Sequence, residues 1–353
     1  MINDIRIGNF TIAEKSKPFI IAEMSGNHNQ SLHKALSIID QAAESGADAV
    51  KLQTYTADTL TINISNGEFL ISDPGSIWNG KNLYELYQEA HTPWEWHEAI
   101  FNRAKEKGII CFSTPFDDSS VDFLESFDVP AYKIASFENN HIPLLKKVAS
   151  TGKPVIMSTG ISTQSDIELA VSTLRKHGCK DLILLKCTST YPATPENTNA
   201  VTIPHMSQLF NCHVGLSDHT LGIGVAVASV ALGARVIEKH FTISRAEGGV
   251  DSTFSMEPHE FKNLVEETAR AYHGLGKITY GILEDEKKSV LFKRSIYIVE
   301  DMKAGDTLTE KNMRIIRPGL GIAPKYFELF IGKKINRNIT RGTALSWNIL
   351  LNE

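Results

Sequence analysis

Cysteine is scarce in this 353-residue chain, and its four copies, Cys111, Cys179, Cys187 and Cys212, form no CxxC pair. Three of them sit in apolar runs that read as buried strands, so reduced thiols in a reducing compartment are expected. Basic charge is also in deficit. Lys and Arg total 36 against 41 Asp and Glu, a net charge of -5, which leaves no surplus for a phosphate backbone and excludes nucleic acid as an expected partner. Long apolar runs are missing too: none approaches the roughly 18 residues of a membrane span, and residues 1–10 carry no apolar leader core. The expectation is a cytoplasmic protein with no membrane partner.

At 353 residues the chain exceeds what one hydrophobic core usually supports, so a large domain and a smaller one are expected. Short β-branched runs alternate with stretches of helical period, the signature of βαβ units. Eight such strands are predicted: Phe19 to Glu23, Ala49 to Gln53, Ile109 to Ser113, Ala131 to Ile134, Val155 to Ser158, Leu182 to Lys186, His213 to Ser217 and Val236 to Lys239. Helices between them are expected to stop at Gly46, Gly108, Gly178 and Gly233. Eight βα units are the size of a TIM (β/α)8 barrel, whereas a doubly wound sheet typically has fewer strands. The expected division is a barrel domain over residues 1–280, a charged linker over 281–293 and a small β-rich module over 294–353. Residues 61–84 break the pattern with Asp73-Pro-Gly and Trp78-Asn-Gly, and read as a lid or binding loop.

Catalytic groups in such barrels come from the C-terminal ends of the strands. Here those ends carry Glu23, Lys51 with Gln53, Thr114, Lys133 with Ser136, Ser158, Lys186 with Ser189, Ser217 with His219, and Glu238 with His240. Lysines within apolar strands are costly to bury without an anion, so Lys51, Lys133 and Lys186 call for an anionic ligand. The alternative is internal pairing with Glu23, Glu138 and Glu238. Lys51 and Lys133, together with Thr114, Ser136, Ser158 and Ser217, make a mixture suited to a phosphate and a carboxylate. His219 and His240 end neighbouring strands and would project into one barrel mouth, an imidazole pair that favours a first-row transition ion; the alternative is that each satisfies a loop carbonyl. The turn after the first strand, Glu23-Met-Ser-Gly-Asn-His28, either presents polar groups to a sugar or is an ordinary βα turn.

These segments resemble the sialic acid synthases and, within them, the branch that makes pseudaminic acid. The resemblance is carried by Ile21-Ala-Glu-Met-Ser-Gly-Asn-His28, Gly46-Ala-Asp-Ala-Val-Lys-Leu-Gln-Thr54, Ser113-Thr-Pro-Phe116, Tyr132-Lys-Ile-Ala-Ser-Phe-Glu138, Lys186-Cys-Thr-Ser-Thr-Tyr-Pro192, Gly215-Leu-Ser-Asp-His-Thr220 and Ile237-Glu-Lys-His-Phe-Thr242. The C-terminal module, with Lys293-Arg-Ser-Ile-Tyr297 and Arg317-Pro-Gly319, is similar to the antifreeze-like domain of those enzymes.

The resemblance implies condensation of phosphoenolpyruvate with an N-acyl amino-sugar aldehyde. It implies that Lys51, Thr114, Lys133, Ser136, Ser158, Ser189 and Ser217 hold phosphoenolpyruvate, although asparagine is typical at the Ser189 position in the N-acetylneuraminate enzymes. Glu23, Gln53, Tyr191, Glu238 and Asp251 would face the sugar, and Glu138 would orient or deprotonate the attacking water. His219 and His240 would bind a divalent ion, usually Mn²⁺, with Mg²⁺ or Co²⁺ as alternatives. Arg317 would reach the sugar's N-acyl group from a partner subunit, which implies a homodimer. The rival readings are an N-acetylneuraminate or legionaminic acid synthase, a phosphoenolpyruvate aldolase making another sugar acid, and a non-catalytic sugar-binding protein.

Overall fold

The computed structural model describes residues 2–351, which divide into two compact units, Met1–Gly276 and Lys277–Glu353. The first opens with a hairpin, β1 (Ile5–Ile7) against β2 (Phe10–Ile12). Eight parallel strands follow: β3 (Phe19–Glu23), β4 (Ala49–Thr54), β5 (Ile110–Pro115), β6 (Tyr132–Ile134), β7 (Val155–Ser158), β8 (Leu182–Cys187), β9 (His213–Asp218) and β10 (Val236–His240). They close into a barrel in which β10 pairs with β3, so the expected (β/α)8 architecture is present.

Strand alternation sorts the side chains into two apolar layers. Inward-facing Phe19, Ile21, Ala49, Phe112, Ala131, Ile156, Ile183, Leu185 and Val236 fill the lower half of the barrel. The hairpin residues Ile5, Ile7 and Ile12 pack against that layer and plug its N-terminal end. Outward-facing Ala22, Val50, Leu52, Leu184, Leu216 and Ile237 meet the apolar faces of the surrounding helices, such as Ile38, Ile39 and Ala42 of the helix Leu32–Glu44. The helices expected to stop at Gly46, Gly108, Gly178 and Gly233 end within two residues of them. Gly215 is required for closure: a Cβ there would lie 2.1 Å from the carbonyl oxygen of Val236 on the neighbouring strand.

Because apolar side chains occupy the lower half, the inward positions one or two steps further along each strand form the upper half, and there the sequence turns polar. Register then sets who meets whom: Glu23 lies beside Lys51 and His240, and Ser217 beside both Glu238 and Cys187.

The second unit is small. Its antiparallel pair, β11 (Ser295–Ile298) with β12 (Met313–Ile316), is extended by isolated bridges from Tyr297 to Ala344, Met302 to Ile339 and Thr307 to Lys334. Ile296, Ile298, Leu308, Met313, Phe330, Ile335 and Ile349 form its core. Residues Glu284–Phe292, within the expected charged linker over 281–293, form a 3-10 helix.

Candidate active site

The upper half of the barrel holds a buried chain of charge. Lys51 Nζ bridges Glu23 Oε2 at 3.1 Å and Glu238 Oε2 at 3.2 Å, and Lys133 Nζ lies 3.8 Å from Glu238 Oε1. Lys133 also donates to Ser158 Oγ at 2.7 Å and to the Ile134 carbonyl at 3.0 Å, while Ser217 donates to Glu238 Oε1 at 2.9 Å. Internal pairing is therefore real for these two lysines. It does not exhaust the site, because among the described residues Glu138 has no cation within ion-pair reach and its Oε2 is buried without a partner.

Each shift in acidity has a cause visible in this chain. Burial pushes the Glu23 carboxyl up to about 7 against the pull of Lys51. Burial also disfavours the Glu238 carboxylate, but Lys133 and Lys51 outweigh it and hold that group down at about 2. Lys133 is lowered to about 8 by burial, only partly offset by Glu238. Burial raises Glu138 to about 7. The result is one firmly ionised carboxylate between two lysines and two carboxyls poised near neutrality, a spread typical of acid–base sites.

Above this layer opens a cavity of about 310 Å³. Its polar side is built by Gln53, Glu138, Tyr191, His240 and Asp251. Gln53 Nε2 donates to Glu23 Oε1 at 3.0 Å, and Asp251 accepts a short hydrogen bond from Ser25. Tyr191 packs over both histidines, 4.5 Å from the His219 ring and 6.3 Å from the His240 ring. The site thus has a buried, cationic, hydroxyl-rich layer inside the barrel and a mixed cavity over its mouth.

The two imidazoles lie 5.4 Å apart. His219 Nδ1 is 2.9 Å from the Thr188 carbonyl oxygen, which only accepts, so this nitrogen carries a proton; burial works to lower the ring's pKa, but Cys187 and that carbonyl outweigh it and raise it above the ordinary value. His240 is kept neutral by burial and by the nearby His219 and Lys51, and its Nδ1 is buried without a hydrogen-bond partner. An imidazole pair of this kind, with His240 lining the cavity and its Nδ1 unpartnered, fits a divalent first-row ion when both rings are neutral. Among the described residues no three His, Cys, Asp or Glu side chains gather around one point, so the pair would have to share the ion with non-protein ligands. Behind the pair, Lys239 Nζ bonds Asp218 Oδ2 at 2.8 Å and the Thr220 carbonyl at 2.6 Å, bracing the two strand ends that carry the histidines.

Most of the residues singled out from the sequence meet here. Thr114 presents a buried Oγ1 with no partner, the kind of orphan that a bound anion would satisfy. Ser136 accepts from the Gly160 N–H at 3.0 Å, with Ser189 nearby. Gly160 makes room for both: a Cβ on it would lie 2.2 Å from Ser189 Oγ and 2.7 Å from Ser136 Oγ. Lys186 is the correction. On β8 the inward positions are Ile183, Leu185 and Cys187, so Lys186 points out of the barrel, where its Nζ donates to the Cys187 carbonyl. His28 is a loop fastener, kept neutral by burial and held by Gln30 and Thr92. Arg317 belongs to the second unit, exposed directly after β12.

Several neighbours were not anticipated. Cys187 faces the site, 3.9 Å from His219 Nδ1 and 3.7 Å from Ser189 Oγ. Trp78, from the irregular loop, donates Nε1–H to the Val250 carbonyl at 3.0 Å and packs 6.0 Å from the Tyr191 ring. Its Trp-Asn-Gly turn was a visible loop signal, but the long-range partner was not.

Residues 38–280 match the NeuB family and residues 293–351 the SAF domain. The chain is 44% identical over 341 residues to the pseudaminic acid synthase of Campylobacter jejuni, covering 97% of this chain and 98% of that one. It is 40% identical to the pseudaminic acid synthase of Helicobacter pylori, covering 93% and 96%. Among solved structures it is similar to the N-acetylneuraminic acid synthetase of Leptospira borgpetersenii, with a TM-score of 0.73, 33% identity, and coverage of 82% of this chain and 96% of that one.

Proposed function

The chain belongs to the NeuB family, and from that membership and the site's geometry we propose that it makes pseudaminic acid from phosphoenolpyruvate, 2,4-diacetamido-2,4,6-trideoxy-L-altrose and water, releasing phosphate. The observation that carries the reading is a buried cationic layer with Lys51, Lys133, Ser158 and Thr114 beneath a cavity edged by Glu138, Tyr191 and Asp251. An anionic substrate and a sugar need two such unlike surroundings next to each other.

In this mechanism Lys51 and Lys133, with Thr114, Ser136, Ser158, Ser189 and Ser217, hold the phosphate and carboxylate of phosphoenolpyruvate. Glu23, Gln53, Tyr191, Glu238 and Asp251 orient the open-chain sugar above it. C3 of phosphoenolpyruvate bonds to the aldehyde carbon, and water then adds at C2 as Glu138 takes one of its protons, balanced by the proton that the aldehyde oxygen takes up to become a hydroxyl. The C2–O bond breaks, phosphate leaves with the bridging oxygen and the remaining proton of the C2 hydroxyl, and a 2-keto-3-deoxy acid remains. His219 and His240 would hold a divalent ion, Mn²⁺ in this reading, which when bound supplies Lewis acidity at the aldehyde oxygen. The enzyme works in the cytoplasm as a homodimer in which Arg317 serves the partner's site.

The test is incubation with phosphoenolpyruvate, Mn²⁺ and each of several N-acyl hexosamines, reading phosphate release and product mass. Turnover with the diacetamido-trideoxy sugar is expected. Turnover confined to a different hexosamine would replace it with a sister synthase, and no phosphate release from any sugar would leave a binding protein.

A further inference from the structure

The cavity over the barrel mouth has two unlike sides. The polar groups come from the barrel and from the segment carrying Asp251, whereas Leu60, Ile71, Trp78, Leu83 and Leu86, all from residues 60–86, supply an apolar wall, with the tyrosines Tyr55 and Tyr87 completing the lining beside it. No charged side chain from that segment lines the cavity. The wall is fixed at both edges. Ile71 N–H donates to the Lys81 carbonyl at 2.9 Å, and Gly80 N–H donates to the Ile71 carbonyl at 2.8 Å, which closes the loop on itself. Asn82 caps the following helix by accepting from Glu85 N–H at 2.8 Å and donates to Ser65 Oγ at 3.1 Å. At the far edge Trp78 bonds Val250, the neighbour of Asp251, so the wall is tied to the segment that edges the polar side.

Resting on the reading above, we propose that Ile71 and Trp78 are specificity-determining residues, and that their apolar wall selects the sugar by its 6-deoxy carbon and the methyl of its 4-acetamido group. N-acetylmannosamine carries hydroxyls at both positions. Against Ile71, and against Trp78 whose indole N–H is already given to Val250, a hydroxyl loses water and gains no partner, whereas a methyl group buries apolar surface. An apolar pocket of this kind discriminates by roughly tenfold to a few hundredfold for each such group. The aldehyde and the 2-acetamido substituent are common to both sugars, so an apolar wall is matched to the two positions at which their substituents differ.

The experiment compares the two sugars on Trp78→Ala and Ile71→Ser enzymes, using kcat/KM or, where a sugar is not turned over, its competitive inhibition constant. Both sugars are measured on one preparation, so any loss of folded protein cancels in the ratio. The preference for the diacetamido sugar is expected to fall about 10- to 100-fold, with KM for phosphoenolpyruvate changed less than about threefold. Trp78→Phe keeps the apolar face and loses only the bond to Val250, so it is expected to hold the preference within about threefold. A preference unchanged in both Trp78→Ala and Ile71→Ser would overturn the inference, as would a loss that falls equally on phosphoenolpyruvate. Wild-type enzyme that prefers N-acetylmannosamine would instead overturn the substrate reading itself, a separate measurement on a separate protein.

Discussion

Replacing Glu138 with glutamine keeps the shape of the side chain and removes its ionisation. The carboxyl sits in the short turn after β6, with Oε2 buried and unpartnered, and burial moves it from its ordinary 4.5 up to about 7. That displacement amounts to an ionisation penalty of about 3 kcal/mol once the pH exceeds 7. Between 4.5 and about 7 the folded state holds a proton that the unfolded state has released, so this group lowers stability as pH rises through the window. Glu138→Gln escapes the penalty. The variant is therefore expected to match wild type at pH 5 and to be more stable at pH 8 by about 1 to 3 kcal/mol, or about 2 to 4 °C in Tm for each kcal/mol.

Activity should move the opposite way. A general base contributes about 10²- to 10⁴-fold, so kcat should fall by that factor with KM for phosphoenolpyruvate within about threefold of wild type. Wild-type kcat/KM should rise with pH through an apparent pKa close to 7, and the variant should lack that limb. Phosphate release from pH 5.5 to 9 and thermal unfolding at pH 5 and 8 measure both. A fully active variant, or one that keeps the same limb, would refute the assignment of Glu138 as the base.

Lys133→Met removes the donor to Ser158 and one of the two cations holding Glu238 ionised. Because the variant cannot make a desolvated, charge-assisted hydrogen bond to the anion, kcat/KM for phosphoenolpyruvate should drop about 30- to 5,000-fold, equivalent to about 2 to 5 kcal/mol; an unchanged value would exclude Lys133 from the anion site. Chelation should abolish turnover without altering the circular dichroism spectrum, and Mn²⁺ or Co²⁺ should restore it, whereas His219→Ala should lose metal binding by calorimetry as well as activity. Full activity in excess chelator would contradict the metal reading. Arg317→Ala and His240→Ala chains, each inactive alone, should regain about a quarter to a half of wild-type activity after subunit exchange; no recovery despite proven exchange would mean that each chain completes its own site.

The barrel was legible because its strands are apolar and β-branched and its helices stop at glycines. Lys51 and Gln53 are two apart on β4, so one inward assignment carried both. The same reasoning failed at Lys186 because Leu182–Cys187 is buried along its whole length except Lys186 itself. A strand covered on both faces has no alternation from which to read its parity. The inward placement of Cys187 was missed for the same reason. The hairpin at the N-terminus did carry a signal, Ile5-Arg-Ile with a Gly8-Asn9 turn before Phe10-Thr-Ile, but nothing local says that it plugs a barrel. Trp78 marks the limit of sequence reading: its partner Val250 lies 172 residues away, and only the closed barrel brings the two together. The unpartnered atoms of Thr114, Glu138 and His240 are likewise properties of packing.

The measurement that tests the central claim most directly is turnover of phosphoenolpyruvate carrying ¹⁸O in its bridging C–O–P position. If Lys51 and Lys133 hold the phosphate while Glu138 delivers water to C2, the C2–O bond breaks and mass spectrometry should find the label in the released phosphate. Label retained on C2 of the sugar acid, with unlabelled phosphate, would mean that the P–O bond breaks and that the site does not perform this condensation.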